Sequence, residues 1–420
     1  MHQSELLVGL HRHMSRFALT PATAGLGDLQ FAGKVLEMAF RLRGSGVSTL
    51  ARVGAIGVDA GISGRELAQM VLPTLESLGW VHLSRGSTSA IEAVEDSLPP
   101  FVELLNAGPR LLATVGLDAF QSAALGLLEA TTLQPLEQEA ALDAVAEFGA
   151  EAAQNALDCL AALNLVFCLT ADDGRSAVFN PNVWVDKEAA TQAALRTEDA
   201  NVRREVGALL EEVSQAPGLP QEQVESTEAR WIDFAVSQGL IERNVVSTST
   251  GIERSFLFSP HMARDSFGSV VRDASGHVRQ LVGSMVYAAT YPRWKLSDPA
   301  LFVQRLIERG TAGDASPIGT DYPMLETAGI VRVVPGSRAD KFSLELRQSD
   351  IAESALTILR TNQSFGGQAT ENRAAGLFSQ KTYRHTQGER ARLAVTVPAD
   401  DRDMARMVAA LRQESRRNSG

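Results

Sequence analysis

Gly27 to Lys34 is the nearest this chain comes to a phosphate cradle. That motif needs Gly-x-x-x-x-Gly-Lys-Ser/Thr, so that backbone N–H groups and a lysine surround the phosphates. Here the spacing is one residue too long, and Val35 stands where a magnesium-binding hydroxyl belongs. Gly25-Leu26-Gly27 has no third glycine in register and reads as a turn. His11 and His13 are two apart, on different faces of any helix, so they cannot form a His-x-x-x-His metal pair; a mobile N-terminal region is expected for them. Two cysteines, Cys159 and Cys168, are too few for a disulfide framework or a thiolate metal site, and their apolar neighbours predict buried free thiols in a reducing cytoplasm. No Gly-x-Ser-x-Gly elbow occurs, and Asp172-Asp173, Glu211-Glu212 and Asp400-Asp401 read as turn or surface carboxylates. The expectation is a non-enzyme that needs no cofactor and no metal.

The chemistry that remains is that of cations and amides, which bind phosphate and read base edges. Arg65 and Gln69 lie four apart, one turn of a predicted helix, and Arg85 sits at the predicted hairpin beyond it. Lys34, Arg41, Arg43 and Arg52 precede them; Arg41 and Arg43, two apart, cannot share one helix face. Arg338 and Lys341 lie in a later turn. Tyr291-Pro292-Arg293-Trp294-Lys295 interleaves aromatics with cations, as single-strand binding surfaces do, or is a linker whose Trp packs into a core.

The formal charge of −11 is unevenly spread. From Pro99 to Ala200 there are 15 acidic and 4 basic residues, so phosphate would be repelled there, whereas Arg373 to Gly420 holds 10 basic and 5 acidic residues. Of 39 basic residues 34 are Arg, a codon bias that points to a GC-rich, bacterial source. The N-terminus lacks a signal-peptide pattern, and no stretch approaches the ~18 apolar residues of a membrane helix, so a soluble, cytoplasmic protein is expected.

The elements that must position these side chains recur along the chain. Val47 to Val58 predicts a helix, Gly61 a turn, and Ser63 with Glu66 a capping box opening a helix to Leu78, with Pro73 kinking or splitting it. Gly79 caps that helix, Trp80 to Ser84 alternates as a strand, and Ala90 to Val94 returns. A second copy reads Glu137–Phe148, Glu151–Leu163, then strands at Val166–Leu169 and Ala177–Phe179 around Asp172-Asp173-Gly174. A third reads Val202–Val213, a short helix from Gly218-Leu219-Pro220, Thr227–Ser237, then strands Leu240–Val246 and Phe256–Phe258. A fourth reads Pro299 to Gly310, Thr320–Thr327, then Ile330–Val334 and Phe342–Leu346, followed by a helix Ser349–Leu359. Val278 to Tyr291 predicts an amphipathic connector helix, Thr361–Ala369 a flexible loop and Ala405–Ser415 a last helix.

Helix-turn-helix followed by a hairpin resembles the winged-helix fold over about two-thirds of the chain. The resemblance implies a mainly helical α+β protein of about four tandem winged helices, with hairpin tips near Gly86, Asp173, Ser249 and Gly336. The corresponding divisions are 1–100, 101–198, 199–262, a connector 263–297, 298–360, and a C-terminal loop and basic tail 361–420. Winged helices lay the third helix in the major groove and the wing on phosphate. The first expectation is therefore a bacterial DNA-binding regulator, nucleoid-associated, that uses Arg41, Arg43, Arg65, Gln69, Arg85, Arg338 and Lys341. The alternative is a scaffold whose winged helices dock other protein subunits, through the acidic second copy above all.

Overall fold

The computed structural model describes residues 3–17, 20, 24–87, 89–133, 136–170, 176–180, 200–259, 273, 275–292, 295–361 and 379–396. The expected hairpin tip at Asp173, the loop from Asn362 onward, the helix Ala405–Ser415, and Arg293 and Trp294 fall outside these residues. Four times the chain lays down a helix, a short strand, further short helices and an antiparallel hairpin. Each time the third strand lies between the first and the second. The result is a mixed α+β protein with small antiparallel sheets.

Helix α1 (Gln3–Met14) opens the chain, and α2 (Gly27–Leu42) leads into unit one: β1 (Val47–Thr49), α3 (Leu50–Asp59), α4 (Gly64–Glu66), a π turn over Leu67–Val71, α5 (Leu72–Ser77), β2 (Val81–Arg85) and β3 (Ile91–Asp96). The predicted helix at Val47 starts three residues late, because Val47–Thr49 pairs with Ala93–Glu95 as a strand. Thr49 and Ser63 then cap α3 and α4, their hydroxyls accepting from the N–H groups of Arg52 and Glu66. Pro73 has no N–H to give to Gln69 and its ring would strike that carbonyl; the π turn before it widens the ladder at that place.

Helices α6 (Phe101–Leu105) and α7 (Gly108–Val115) lead to unit two: α8 (Ala119–Leu133), β4 (Leu136–Glu137), α9 (Gln138–Asp143), a 3-10 turn at Ala146–Phe148, α10 (Ala150–Ala162), β5 (Phe167–Thr170) and β6 (Ser176–Phe179). The single helix expected over Glu137–Phe148 is broken, since its first residue belongs to a strand pair with β6 and Gly149 turns at φ +98°. Unit three has α11 (Ala200–Gln215), β7 (Leu219–Pro220), α12 (Ala229–Ser237), β8 (Glu242–Thr248) and β9 (Glu253–Phe258). The short helix expected from Gly218 begins only at Gln221, as a 3-10 turn over Gln221–Gln223; Leu219–Pro220 before it is β7, paired with Phe256 and Leu257.

Next comes α13 (His277–Thr290). Unit four follows: α14 (Pro299–Arg309), β10 (Thr311–Ala315), α15 (Ile318–Asp321), α16 (Pro323–Thr327), β11 (Val331–Pro335) and β12 (Phe342–Leu346), then α17 (Ser349–Thr361). Pro323 splits the helix expected over Thr320–Thr327. A C-terminal strap of β13 (Gln380–Arg384) and α18 (Thr386–Thr396) ends the described chain, β13 adding a fourth strand to unit three beside β8.

Two expectations fail in the core. Helix α13 is no half-exposed connector: every residue from His277 to Ala288 is buried, because the polar side also finds partners, Gln280 donating to the Met324 carbonyl at 2.9 Å. Nor is the N-terminal region mobile. Leu6, Leu7, Leu10 and Met14 of α1 join one hydrophobic core with units one and two, each contributing roughly 1.5–3 kcal/mol. The other large core runs through α13, unit four and α17.

Candidate binding surface

The capped turn at Ser63 places Arg65 in the first turn of the third helix of unit one, exposed, with its Nε donating to Gln69 Oε1 at 3.0 Å. Met70 stands beside Gln69 and is 51% exposed, and Val58 near the end of α3 is 70% exposed. The acidic neighbours are Glu66, held by Lys34 at 2.8 Å, and Glu76. Arg85 lies on the hairpin as expected, but both its Nη atoms bond Glu76, at 3.0 and 2.5 Å. That hydrogen-bonded pair raises the Arg85 guanidinium and lowers the Glu76 carboxyl from their ordinary values. The cation expected for phosphate is therefore locally neutralised.

In unit four Arg338 is exposed and Lys341 half-buried, both in the β11–β12 turn. Asp314 shares that turn, accepting from the Ser337 N–H at 2.9 Å and its hydroxyl at 2.5 Å; these bonds, with Lys341 and Arg338 nearby, lower its carboxyl. In unit three Arg230 is exposed, 3.1 Å from Glu228 and over the Trp231 ring, while Tyr291 donates to Glu222 and carries Arg254 over its face.

Arg41 and Arg43 must be withdrawn from the phosphate-binding set. Arg41 is 4% exposed and bonds Glu37 at 2.7 Å, Asp59 at 2.6 Å and the Thr327 carbonyl at 3.2 Å. Arg43 bonds Asp350 and Gln348, both at 2.9 Å. The two arginines do point in different directions, but both directions lead into the seam between unit one and the last helices. Gly329 lies so close there that a Cβ would stand 1.9 Å from the Arg41 carbonyl oxygen.

A buried polar joint lies behind this surface, and residue spacing gave no warning of it beyond the i,i+4 pair Glu37 and Arg41. Arg12 bonds Glu37 at 2.8 Å and the Ser275 carbonyl at 2.6 Å. Burial alone would raise the Glu37 carboxyl; Arg12 and Arg41 hold it well below the usual range. His11 Nε2 meets the Ala60 carbonyl at 2.8 Å and His13 Nε2 the Leu163 carbonyl at 2.7 Å, each at the C-terminal end of a helix whose last carbonyls lack partners. Burial drives both imidazoles down to about 4. Arg279 pairs with Glu242 at 2.6 Å and Asp273 at 3.1 Å.

Among the described residues no group of three or more His, Cys, Asp or Glu is placed to hold a metal ion, and no helix is long and apolar enough to cross a membrane. Cys159 is half-buried as a packing residue, but Cys168 is exposed, contrary to expectation, because β5 turns it outward. Burial raises both thiols, with Asp158 adding to the rise at Cys168, so thiolate is disfavoured at either. No family model, curated protein or solved structure matches this chain.

Proposed function

We propose that this is a non-enzymatic binding protein of four winged-helix units, and that its helix-turn-helix faces dock protein subunits. The observation that carries the reading is the surface of unit one. Of its expected phosphate ligands, Arg41 is buried and Arg43 half-buried, both in ion pairs, and Arg85 bonds Glu76, while Val58 and Met70 stand exposed on the helix-turn-helix. Exposed large apolar side chains beside an Arg suit a protein contact better than a phosphate backbone. The acidity of unit two, with Glu139, Asp143, Glu147, Glu151 and Asp158 exposed, points the same way.

A second reading, DNA recognition, is supported by one arrangement: exposed Arg65 with Gln69 one turn on, where a recognition helix reaches base edges. One experiment separates the two. Full-length protein and a Val58→Glu, Met70→Glu variant are purified from their own cells, and both are titrated with duplex and single-stranded DNA at two salt concentrations. Proteins recovered in stoichiometric amount with the natural chain and absent with the variant support docking. Equal recovery with both, or DNA binding that weakens with salt and falls in Arg65→Ala, overturns it in favour of DNA.

A further inference from the structure

Unit three differs from the other three in one respect. Its second strand, β8, is covered by β13, whereas β2, β5 and β11 are sheet edges among the described residues. The covering strap is held in an unusual way. Its buried side chains are chiefly polar: Gln380, His385, Thr386, Glu389 and Arg390, with Ala391 and Leu393 the buried apolar ones. Thr386 donates to Asn244 at 2.8 Å, Glu389 takes Arg243, Arg384 and Arg392 at 2.7–2.8 Å, and Arg384 also holds Glu253. Arg390 reaches the carbonyls of Val236 and Ile241. An element attached by charge rather than apolar area is one whose attachment responds to charge.

At the bend between β13 and α18, His385 meets His277 of α13, ring centroids 6.4 Å apart, and Tyr383 edge-on at 4.8 Å. The approach is close enough that a Cβ on Gly276, at φ +73°, would lie 2.6 Å from His385 Nδ1 and 2.9 Å from Arg12 Nη1. Among the described residues neither ring nitrogen of His277 finds a hydrogen-bond partner, nor does His385 Nε2 or the Tyr383 hydroxyl. The charges that face the two rings are Arg12 of α1, Glu37 and Arg41 of α2, and Arg43 just after it. Arg279 of α13, Asp273 before it and Glu242 of β8 stand behind Tyr383. Glu37, the carboxylate facing the rings among the described residues, is already shared by Arg12 and Arg41. A proton added to either imidazole would make a buried cation without an acceptor, beside two guanidiniums. Burial, with those arginines, accordingly holds both histidines well below their ordinary value.

We infer that the C-terminal strap is an acid-releasable latch: protonation of His277 and His385 favours its departure, which uncovers the β8 edge of unit three. An open strap exposes both imidazoles, whose ordinary pKa is about 6.5, so opening takes up about two protons below that pH. Between pH 7.5 and 5.5 the opening equilibrium then rises about 100-fold, roughly 10-fold for each histidine.

Hydrogen exchange of the full chain, followed by mass spectrometry and corrected for intrinsic rates, reads this directly. The peptides covering β8, β13 and α18 should exchange through an opening smaller than global unfolding, with less protection than β2–β3 and β11–β12 at each pH, and should lose about 100-fold of it between pH 7.5 and 5.5. In His385→Gln or His277→Gln the loss should shrink to about 10-fold. Three results would sink the latch: protection at β8 and the strap unchanged over this range, protection there equal to that of the other sheets at each pH, or an undiminished 100-fold loss in the glutamine variants. If a variant does not fold, the wild-type contrast between the strap and the other sheets decides alone.

Discussion

Arg41 and Arg85 make the same bond, a guanidinium on a glutamate, and the two do opposite things. Arg41 sits in the seam, wholly enclosed, and its partner Glu37 also holds Arg12 from another helix. Arg85 sits on a hairpin in solvent, and Glu76 is its neighbour on the same unit. In water such a pair is weak and screened by salt. In the interior each charge has lost its hydration, so the partners become obligatory to one another. Charge type therefore says little about role; enclosure separates an inter-unit bolt from a solvated surface pair.

The sharpest way to break this contrast is acid. His11 and His13 are neutral and enclosed, at about 4 in the folded chain against about 6.5 unfolded. Between those values the unfolded chain binds the extra protons, so stability rises with pH there. The contribution is complete above pH 6.5 and is lost as pH falls to 4. Each histidine can account for roughly 3 kcal/mol by pH 4. Urea unfolding at pH 7.5, 6, 5 and 4 should show this decline, and His11→Gln and His13→Gln, which keep a donor for the carbonyl, should flatten it. A stability that holds constant to pH 4.5 would remove the enclosed neutral histidines from the account.

Next in size is Glu37→Gln, which leaves Arg12 and Arg41 buried without their shared carboxylate. The expected loss is about 3–5 kcal/mol in chemical denaturation. Gly329→Ala follows, at about 2–4 kcal/mol. A side chain there must adopt φ +72° and meets the Arg41 carbonyl oxygen at 1.9 Å. If Gly329→Ala unfolds at the wild-type denaturant concentration, the seam is looser than described.

Local pattern made the hairpins legible, since alternation and Gly turns need only a few neighbouring residues. Gly79, Gly239, Gly310 and Gly329 all take the left-handed conformation expected after a helix. Short first strands such as Leu136–Glu137 and Leu219–Pro220 were hidden, because two residues carry no periodicity and their partners lie about 40 positions away. The joint was hidden for the same reason on a larger scale. His13 finds Leu163 and Arg12 finds Ser275, separations that nothing in the local spelling announces. Of the expected surface residues, Arg65, Gln69, Arg85, Arg338 and Lys341 do reach solvent at least in part. Arg41 does not, and Arg43 is only 16% exposed, because their cationic side chains complete a seam formed by residues some 300 positions later.

The smallest expected effect on stability comes from the exposed face itself. Arg65→Ala and Arg85→Ala should each leave the denaturation midpoint close to that of the natural chain, since both side chains are solvated and Arg85 loses only a surface pair. Their value lies in what they do to binding. If unit one reads DNA, Arg65→Ala should cost roughly 1–3 kcal/mol on a preferred site alone. Arg85→Ala should weaken all sequences alike and flatten the salt dependence by about one unit of slope. Arg230→Ala in unit three, equally exposed, is the control. If unit one docks protein, all three variants should behave alike toward DNA, and Val58→Glu with Met70→Glu should abolish partner binding at unchanged stability. A loss of partner binding in Arg230→Ala equal to that in the Val58 and Met70 variant would place the docking surface on unit three instead. The exposed face would then differ from the buried joint only in solvation and not in function.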